Sequence, residues 1–162
     1  MKISILFTKR KGFNIPSWFF RLIERSDFSH AVILLDTPEG PLVYESNIKG
    51  VHPLPLYDFV RNNILIKSIT LHPNDDQAMT IKNRIYILLG VNYPILPMLG
   101  AFIARVTGSI KNIFADGDKT EYCSEFVFDV LDQPYDLKGY LAEIDGPKKL
   151  YEILKPLEDK GL

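Results

Sequence analysis

Hydrophobic and polar positions divide the chain into short elements. From Lys2 to Thr8, Ile3, Ile5 and Phe7 alternate with Ser4, Leu6 and Thr8, which predicts a strand apolar enough to be covered on both faces. KRKG breaks it. Residues 16–25, PSWFFRLIER, suit a short helix with Pro16 near its first turn and Trp18, Phe19, Leu22 and Ile23 available for a core, and Ser26 and Asp27 end it. HAVILL, residues 30–35, is a continuous apolar run, DTPEGP a turn, and LVYES, residues 42–46, a second strand; together they predict an antiparallel hairpin with His30 near its open end. Pro53 and Pro55 confine VHPLPLYDF to extended or edge-strand conformations, and residues 63–71 read as another strand, giving a sheet of about four or five strands.

The second half reads as helices. Asn74 followed by Gln77 is a capping-box start, and Ala78, Ile81, Ile85, Leu88 and Leu89 carry the apolar stripe to Gly90, a natural C′ residue. The window from Ile85 to Ala104 has the length of a membrane span, but Gly90, Asn92, Pro94, Pro97 and Gly100 interrupt it, so a buried helix–loop–helix is expected and no stable span. After a polar loop at Asp116–Lys119 comes TEYCSEFVFDVL. There Cys123, Phe126, Val127, Val130 and Leu131 fall at i, i+3, i+4, i+7 and i+8, one face of a helix packed on a core. Gly146-Pro147 opens a last helix with Leu150, Ile153 and Leu154 inward. The pattern predicts an α+β fold, mostly antiparallel, with the cysteine helix packed on the sheet.

Composition narrows the classes. With 162 residues, 46% of them apolar, residues 1–162 read as one domain large enough for a proper core. A net charge of −1 and the lack of a basic run argue against a nucleic-acid partner. One cysteine excludes an internal disulfide and a cysteine-based zinc cluster, and the three histidines show no close ligand spacing, so no metal and no cofactor are expected. MKISILFTKRKG places charge after its apolar run, the reverse of a secretion signal, and a reducing, cytoplasmic compartment is the expectation.

The chemistry turns on Cys123. With Thr120 or Asp118 as cap, it falls in or beside the first helical turn, where unpaired N–H groups and the dipole favour a thiolate. The same position suits a small buried hydrophobe. A cysteine nucleophile needs a base, and the base needs a third group to fix its tautomer. His30 is the best of the three histidines, since it opens a buried strand, although a satisfied core histidine would look alike; His52 and His72 each precede a proline and read as exposed loop residues. Glu45 and Asn47 can share a face with His30 if the hairpin register is odd, and the sequence leaves both open as orienter. The Cys123 backbone N–H is the natural first oxyanion donor, and Tyr93 and Tyr122 are candidates for a pocket wall or a second donor, with plain packing as the alternative.

RSDFSHAVILL, a strand with YES, GV with PLYDF, GVNYP and EYCSEFVFDVL together resemble the circularly permuted NlpC-type cysteine peptidases. This papain-like group includes bacterial and bacteriophage proteins and relatives of lecithin:retinol acyltransferase. The histidine strand precedes the cysteine helix in that group, as it does here. The resemblance runs from about Phe28 to Leu131, and its two anchors are S-H-A-V-I and Y-C-S-E-F. It implies a permuted papain-like fold, Cys123 as nucleophile, His30 as general base and Glu45 as orienter. Some relatives use a second histidine in the third role, and no histidine lies on that strand here. The implied activity is hydrolysis of an amide through a thioester, as a peptidase or amidase on a cell-wall-type peptide. A lipid-directed acyltransferase or thioesterase, with Pro94 to Phe102 lining an acyl groove, is the runner-up, and a non-catalytic binding module the third reading. Without a secretion signal, a cell-wall enzyme of this kind would be released on lysis or carried in a virion.

Overall fold

In a computed structural model, the described residues are 2–12, 25–92, 122–139 and 145–159, with positions 21, 103, 107 and 108. They form five strands, β1 (Ile3–Arg10), β2 (His30–Thr37), β3 (Gly40–Asn47), β4 (Gly50–Pro55) and β5 (Asn63–Leu71). Four helices accompany them: α1 (Leu56–Asn62), α2 (Asp75–Leu88), α3 (Cys123–Tyr135) and α4 (Pro147–Asp159). The sheet runs β4-β3-β2-β1-β5 and every pairing is antiparallel. The expected hairpin is β2–β3, closed at Thr37 opposite Gly40 and leaving His30 at its open end.

β1 lies inside the sheet, between β2 and β5, and both of its faces are apolar. Ile3, Ile5 and Phe7 join Ala31, Ile33, Leu35, Ile69 and Leu71 on one face, where α2, α3 and α4 cover them with Ile81, Ile85, Phe126, Val127, Val130, Leu131, Leu150 and Leu154. On the other face, Leu6, Val32 and Val43 meet Phe59 of α1 in a smaller cluster. β1 runs two residues past the apolar alternation because Lys9 and Arg10 pair with Ile64 and Asn63. The register with β5 slips between Phe7 and Thr8, which leaves Ile66 as the extra residue of a bulge.

α1 corrects the sequence reading, which carried the extended conformation through LYDF, the first four residues of this helix. Pro55 occupies the N-cap, where its missing N–H costs no helical bond; Asp58 in the first turn and Arg61 in the last complement the dipole, and Phe59 is the buried anchor. The prolines therefore belong to edge strand β4 and not to the segment after it. α2 begins as its capping box requires: Asn74 Oδ1 accepts from Gln77 N–H at 2.9 Å and Gln77 Oε1 from Asn74 N–H at 3.1 Å. The helix expected over 16–25, the second half of the 85–104 window and the loop 116–119 lie outside the described residues. Among the described residues no helix is long and apolar enough to cross a membrane.

The chain after α2 returns to the outer edge of β4, where Val51 N–H donates to Val91 O and Gly90 N–H to Val51 O, each at 2.9 Å. Gly50, at φ +83°, makes this approach feasible: a Cβ there would stand 2.5 Å from Val91 O. Gly50→Ala is accordingly expected to lower the unfolding free energy by about 1–3 kcal/mol. Urea denaturation measures this, and a wild-type value would show that the Val91 backbone moves aside without cost.

Candidate active site

Cys123 is fixed by the apolar stripe of α3. Phe126, Val127, Val130 and Leu131 are fully buried and seat the helix on the sheet, and an Arg84–Asp129 pair with contacts of 2.6–3.0 Å ties it to α2. The N-cap is Tyr122, not Thr120 or Asp118, which lie outside the described residues; its backbone N–H donates to Glu125 Oε2 at 3.4 Å and its carbonyl accepts from Phe126 N–H at 2.8 Å. Cys123 is thus the first helical residue, with the positive end of the dipole beneath it. It is buried but retains 7% of its exposure.

His30 opens β2 opposite Thr8 of β1, and the preceding Ser29 N–H is anchored on Thr8 O at 3.0 Å. Ile33 stands opposite Tyr44, so the β3 positions that share the face of His30 are Val43, Glu45 and Asn47. This odd register puts both orienter candidates on the face of His30, and side-chain reach decides between them. His30 Nε2 lies 2.7 Å from Glu45 Oε2, while Asn47 Nδ2 donates to the other carboxylate oxygen, Oε1, also at 2.7 Å. A carboxylate only accepts, so Nε2 carries the hydrogen and Nδ1 is left for the bond to Cys123. Glu45 therefore touches the imidazole and Asn47 holds Glu45. Asn47 is itself set by Lys49 N–H, which donates to its Oδ1 at 2.8 Å. The Phe59 ring stacks on His30 at 6.4 Å between centroids and closes the apolar side.

The electrostatics follow from the geometry. Burial alone would lower the His30 pKa; the negative charge and hydrogen bond of Cys123, followed by those of Glu45, override it and raise the pKa from 6.5 to about 10. Glu45 is 9% exposed at its side chain. Burial pushes its carboxyl upward, and the bond and charge of His30, then His52, then Asn47 more than reverse this, holding it below 4.5. Because the His30 value is raised, its stabilisation is complete below about 6.5 and fades as pH rises toward 10. The depressed Glu45 value acts in the other direction: its stabilisation is present above 4.5 and fades as pH falls through the lowered value.

His52 corrects the sequence reading. It is not an exposed loop residue but part of β4, directly opposite Glu45, with Nε2 3.6 Å from Glu45 Oε1 and Nδ1 2.9 Å from Gly50 O. The signal was present: a two-residue turn at Ile48-Lys49 in SNIKGVH counts His52 onto Glu45. His72 is exposed, as expected. Tyr122 is buried at the helix cap, and Tyr93 and Pro94 to Phe102 lie outside the described residues. Among the described residues no group of three or more His, Cys, Asp or Glu is arranged to hold a metal ion.

No protein-family model matches the chain, and no curated protein matches it. Among solved structures it is similar to metalloprotein YiiX from Escherichia coli O157:H7, DUF1105, at a TM-score of 0.60 and 20% identity. The match covers 83% of this chain and 66% of that one, so the chain spans slightly less than two thirds of its neighbour's length. At that identity the likeness shows the fold.

The His30 ring is expected to stay cationic through neutral pH in a nitrogen-15 NMR titration of the histidines, and Cys123→Ser is expected to lower its midpoint by removing the two contributions of the sulfur. A midpoint near 6.5 in both proteins would break the Cys123–His30 link.

Proposed function

We propose that this protein is a cysteine hydrolase of the permuted papain-like kind, acting on an amide bond through a thioester. The observation that carries the reading is one arrangement: a cysteine at the first position of a buried helix, hydrogen-bonded to an imidazole whose other nitrogen is held by a buried carboxylate. Base and orienter come from the two strands of one hairpin and the nucleophile from a helix far along the chain, and their convergence is what activation of a thiol asks of a fold.

In the first half-reaction, His30 Nδ1 holds the proton released by the Cys123 thiol, and the sulfur adds to the substrate carbonyl carbon. The carbonyl π pair moves to oxygen, where the first-turn N–H groups of α3 face the developing negative charge. As the tetrahedral species collapses, the C–N bond breaks, His30 gives its proton to the leaving amine, and a thioester remains. Water then loses a proton to His30 and attacks the thioester carbonyl; the C–S bond breaks, the acid leaves and the Cys123–His30 pair is restored. Glu45 stays ionised, fixes the imidazole ring and balances its charge.

A peptide of cell-wall type is the substrate that the resemblance to NlpC-type peptidases favours. The neighbouring YiiX is titled a metalloprotein. The described residues of this chain do not fit a metal site.

Cys123→Ser is expected to fold with a wild-type denaturation midpoint yet lose turnover on peptide amides and acyl esters. Glu45→Ala is expected to lower turnover on the order of tenfold to a thousandfold, and Asn47→Ala less, because Asn47 acts one bond further away. Retained turnover in Cys123→Ser would remove the proposal; activity on esters alone would redirect it to acyl-group transfer on lipids.

A further inference from the structure

Lys9, Arg10 and Lys11 follow directly on Thr8, the strand partner of His30, so they lie at the end of the sheet that holds the imidazole. Lys9 pairs with Ile64 and Arg10 with Asn63 at the start of β5, while Lys11 ties this corner to α1, its N–H donating to Asn62 O at 2.8 Å and its Nζ to Val60 O at 2.7 Å. Arg61, in the last turn of α1, stands over the Tyr57 ring at 5.9 Å. Among these cations Tyr57, Val60, Ile64 and Leu65 keep from 40% to 72% of their exposure. Asp58 is the single acid of residues 56–65, and residues 2–12 hold none. The chain as a whole has a net charge of −1, so this corner is a local asymmetry; the exposed Asp36 and Glu39 lie at the β2–β3 turn, the opposite end of the sheet. β5 is also an edge strand. Edges are ordinarily guarded by charge on the strand itself, whereas the start of β5 shows Ile64 and Leu65 to solvent and the charges stand beside it on β1 and α1.

We infer that this corner, formed by the end of β1, the start of β5 and the outer side of α1, is a docking surface for an anionic lipid bilayer. The four cations are drawn to lipid phosphates, and the aliphatic side chains gain by entering the boundary between headgroups and acyl chains. Tyr57 suits that boundary, with an apolar ring and a hydroxyl that stays among the headgroups. A dissolved polyanion would satisfy the cations and leave Val60, Ile64 and Leu65 in water; a bilayer uses both kinds of side chain. The surface is preformed, because Phe59 anchors α1 on the sheet and Lys11 fastens its last turn to β1. Docked in this way, the protein would bring the His30 end of its sheet to the membrane.

Co-sedimentation of the full chain with vesicles is the test. Wild type is expected to bind phosphatidylcholine vesicles containing about one third phosphatidylglycerol, to leave pure phosphatidylcholine vesicles alone, and to be released as NaCl rises from about 0.05 M to about 0.5 M. Lys9→Gln combined with Arg10→Gln is expected to weaken binding roughly twentyfold, at about fivefold for each charge. Lys82→Gln combined with Lys155→Gln removes the same charge from exposed positions of α2 and α4 and is expected to stay within about twofold of wild type. Val60→Ser combined with Leu65→Ser is expected to weaken vesicle binding roughly tenfold and to leave binding to heparin, a polyanion without acyl chains, unchanged. Should that pair fail to fold, as judged by circular dichroism, Tyr57→Ser, at the most exposed of the four apolar positions, takes its place with a loss of roughly threefold. No binding by wild type, equal binding to neutral vesicles, an equal loss in the Lys82 and Lys155 variant, or wild-type vesicle binding by the apolar variant would overturn the inference, and the last result together with tight heparin binding would assign the corner to a soluble polyanion. Binding is read without turnover, so an inert Cys123 leaves the inference standing, and a failure to bind vesicles leaves the thiol proposal untouched.

Discussion

The buried carboxylate of Glu45 is the constraint around which the open end of the sheet is arranged. An ionised carboxylate taken out of water costs several kcal/mol unless it is paired and hydrogen-bonded. Here the compensation comes from His30 on β2, Asn47 on β3 and His52 on β4, so one side chain imposes requirements on three strands. The pleat must place all four side chains on one face, the turn at Ile48-Lys49 must be two residues long, and the hairpin register must be odd. A one-residue slip of β3 would turn Glu45 to the opposite face and leave His30 with the carboxylate lost.

The scaffold supplies rigidity of two kinds. Cys123 rides on a helix whose next four inward residues are fully buried, so its position follows from the packing of Phe126, Val127, Val130 and Leu131 and not from a loop. His30 begins a strand paired on both sides, to β1 and to β3. Reactive groups on elements of this sort are held more closely than groups on loops. Covering the sheet on both faces matters for the same reason: α3 packs on one apolar face, α1 on the other, and Phe59 of α1 stacks on the imidazole itself.

Much of this was legible in the chain. Alternation and apolar runs gave β1, the β2–β3 hairpin and β5, and the stripes beginning at Asn74 and Cys123 gave two helices together with their buried faces. Cys123 and His30 could be named because each stands at a position where pattern and chemistry coincide, with Glu45 and Asn47 as alternatives for the third place. Three things were hidden. The helix at Leu56 was hidden by Pro53 and Pro55, whose local restriction was carried past the residues it governs. The N-cap at Tyr122 was hidden because propensity favours Thr120 and Asp118, whereas tertiary packing decides where this helix starts. His52 was hidden because its place opposite Glu45 depends on register, which emerges only when the turn length is fixed. The choice between Glu45 and Asn47 was undecidable for a related reason: both share the face of His30, and only side-chain reach tells the residue on the ring from the residue behind it.

A carboxylate in the third position also changes the electrical balance of such a site. A thiolate and an imidazolium together are neutral, and a neutral orienter leaves them so. An ionised glutamate adds a negative charge in a place with little water, which strengthens its hold on the imidazolium and would raise the cost of a thiolate nearby. Two features answer that cost. The positive end of α3 lies under the sulfur, and the Asn47 amide donates to the far oxygen of Glu45. The far oxygen is thus as much a part of the site as the near one: the Asn47 amide on Oε1 leaves Oε2 to serve His30.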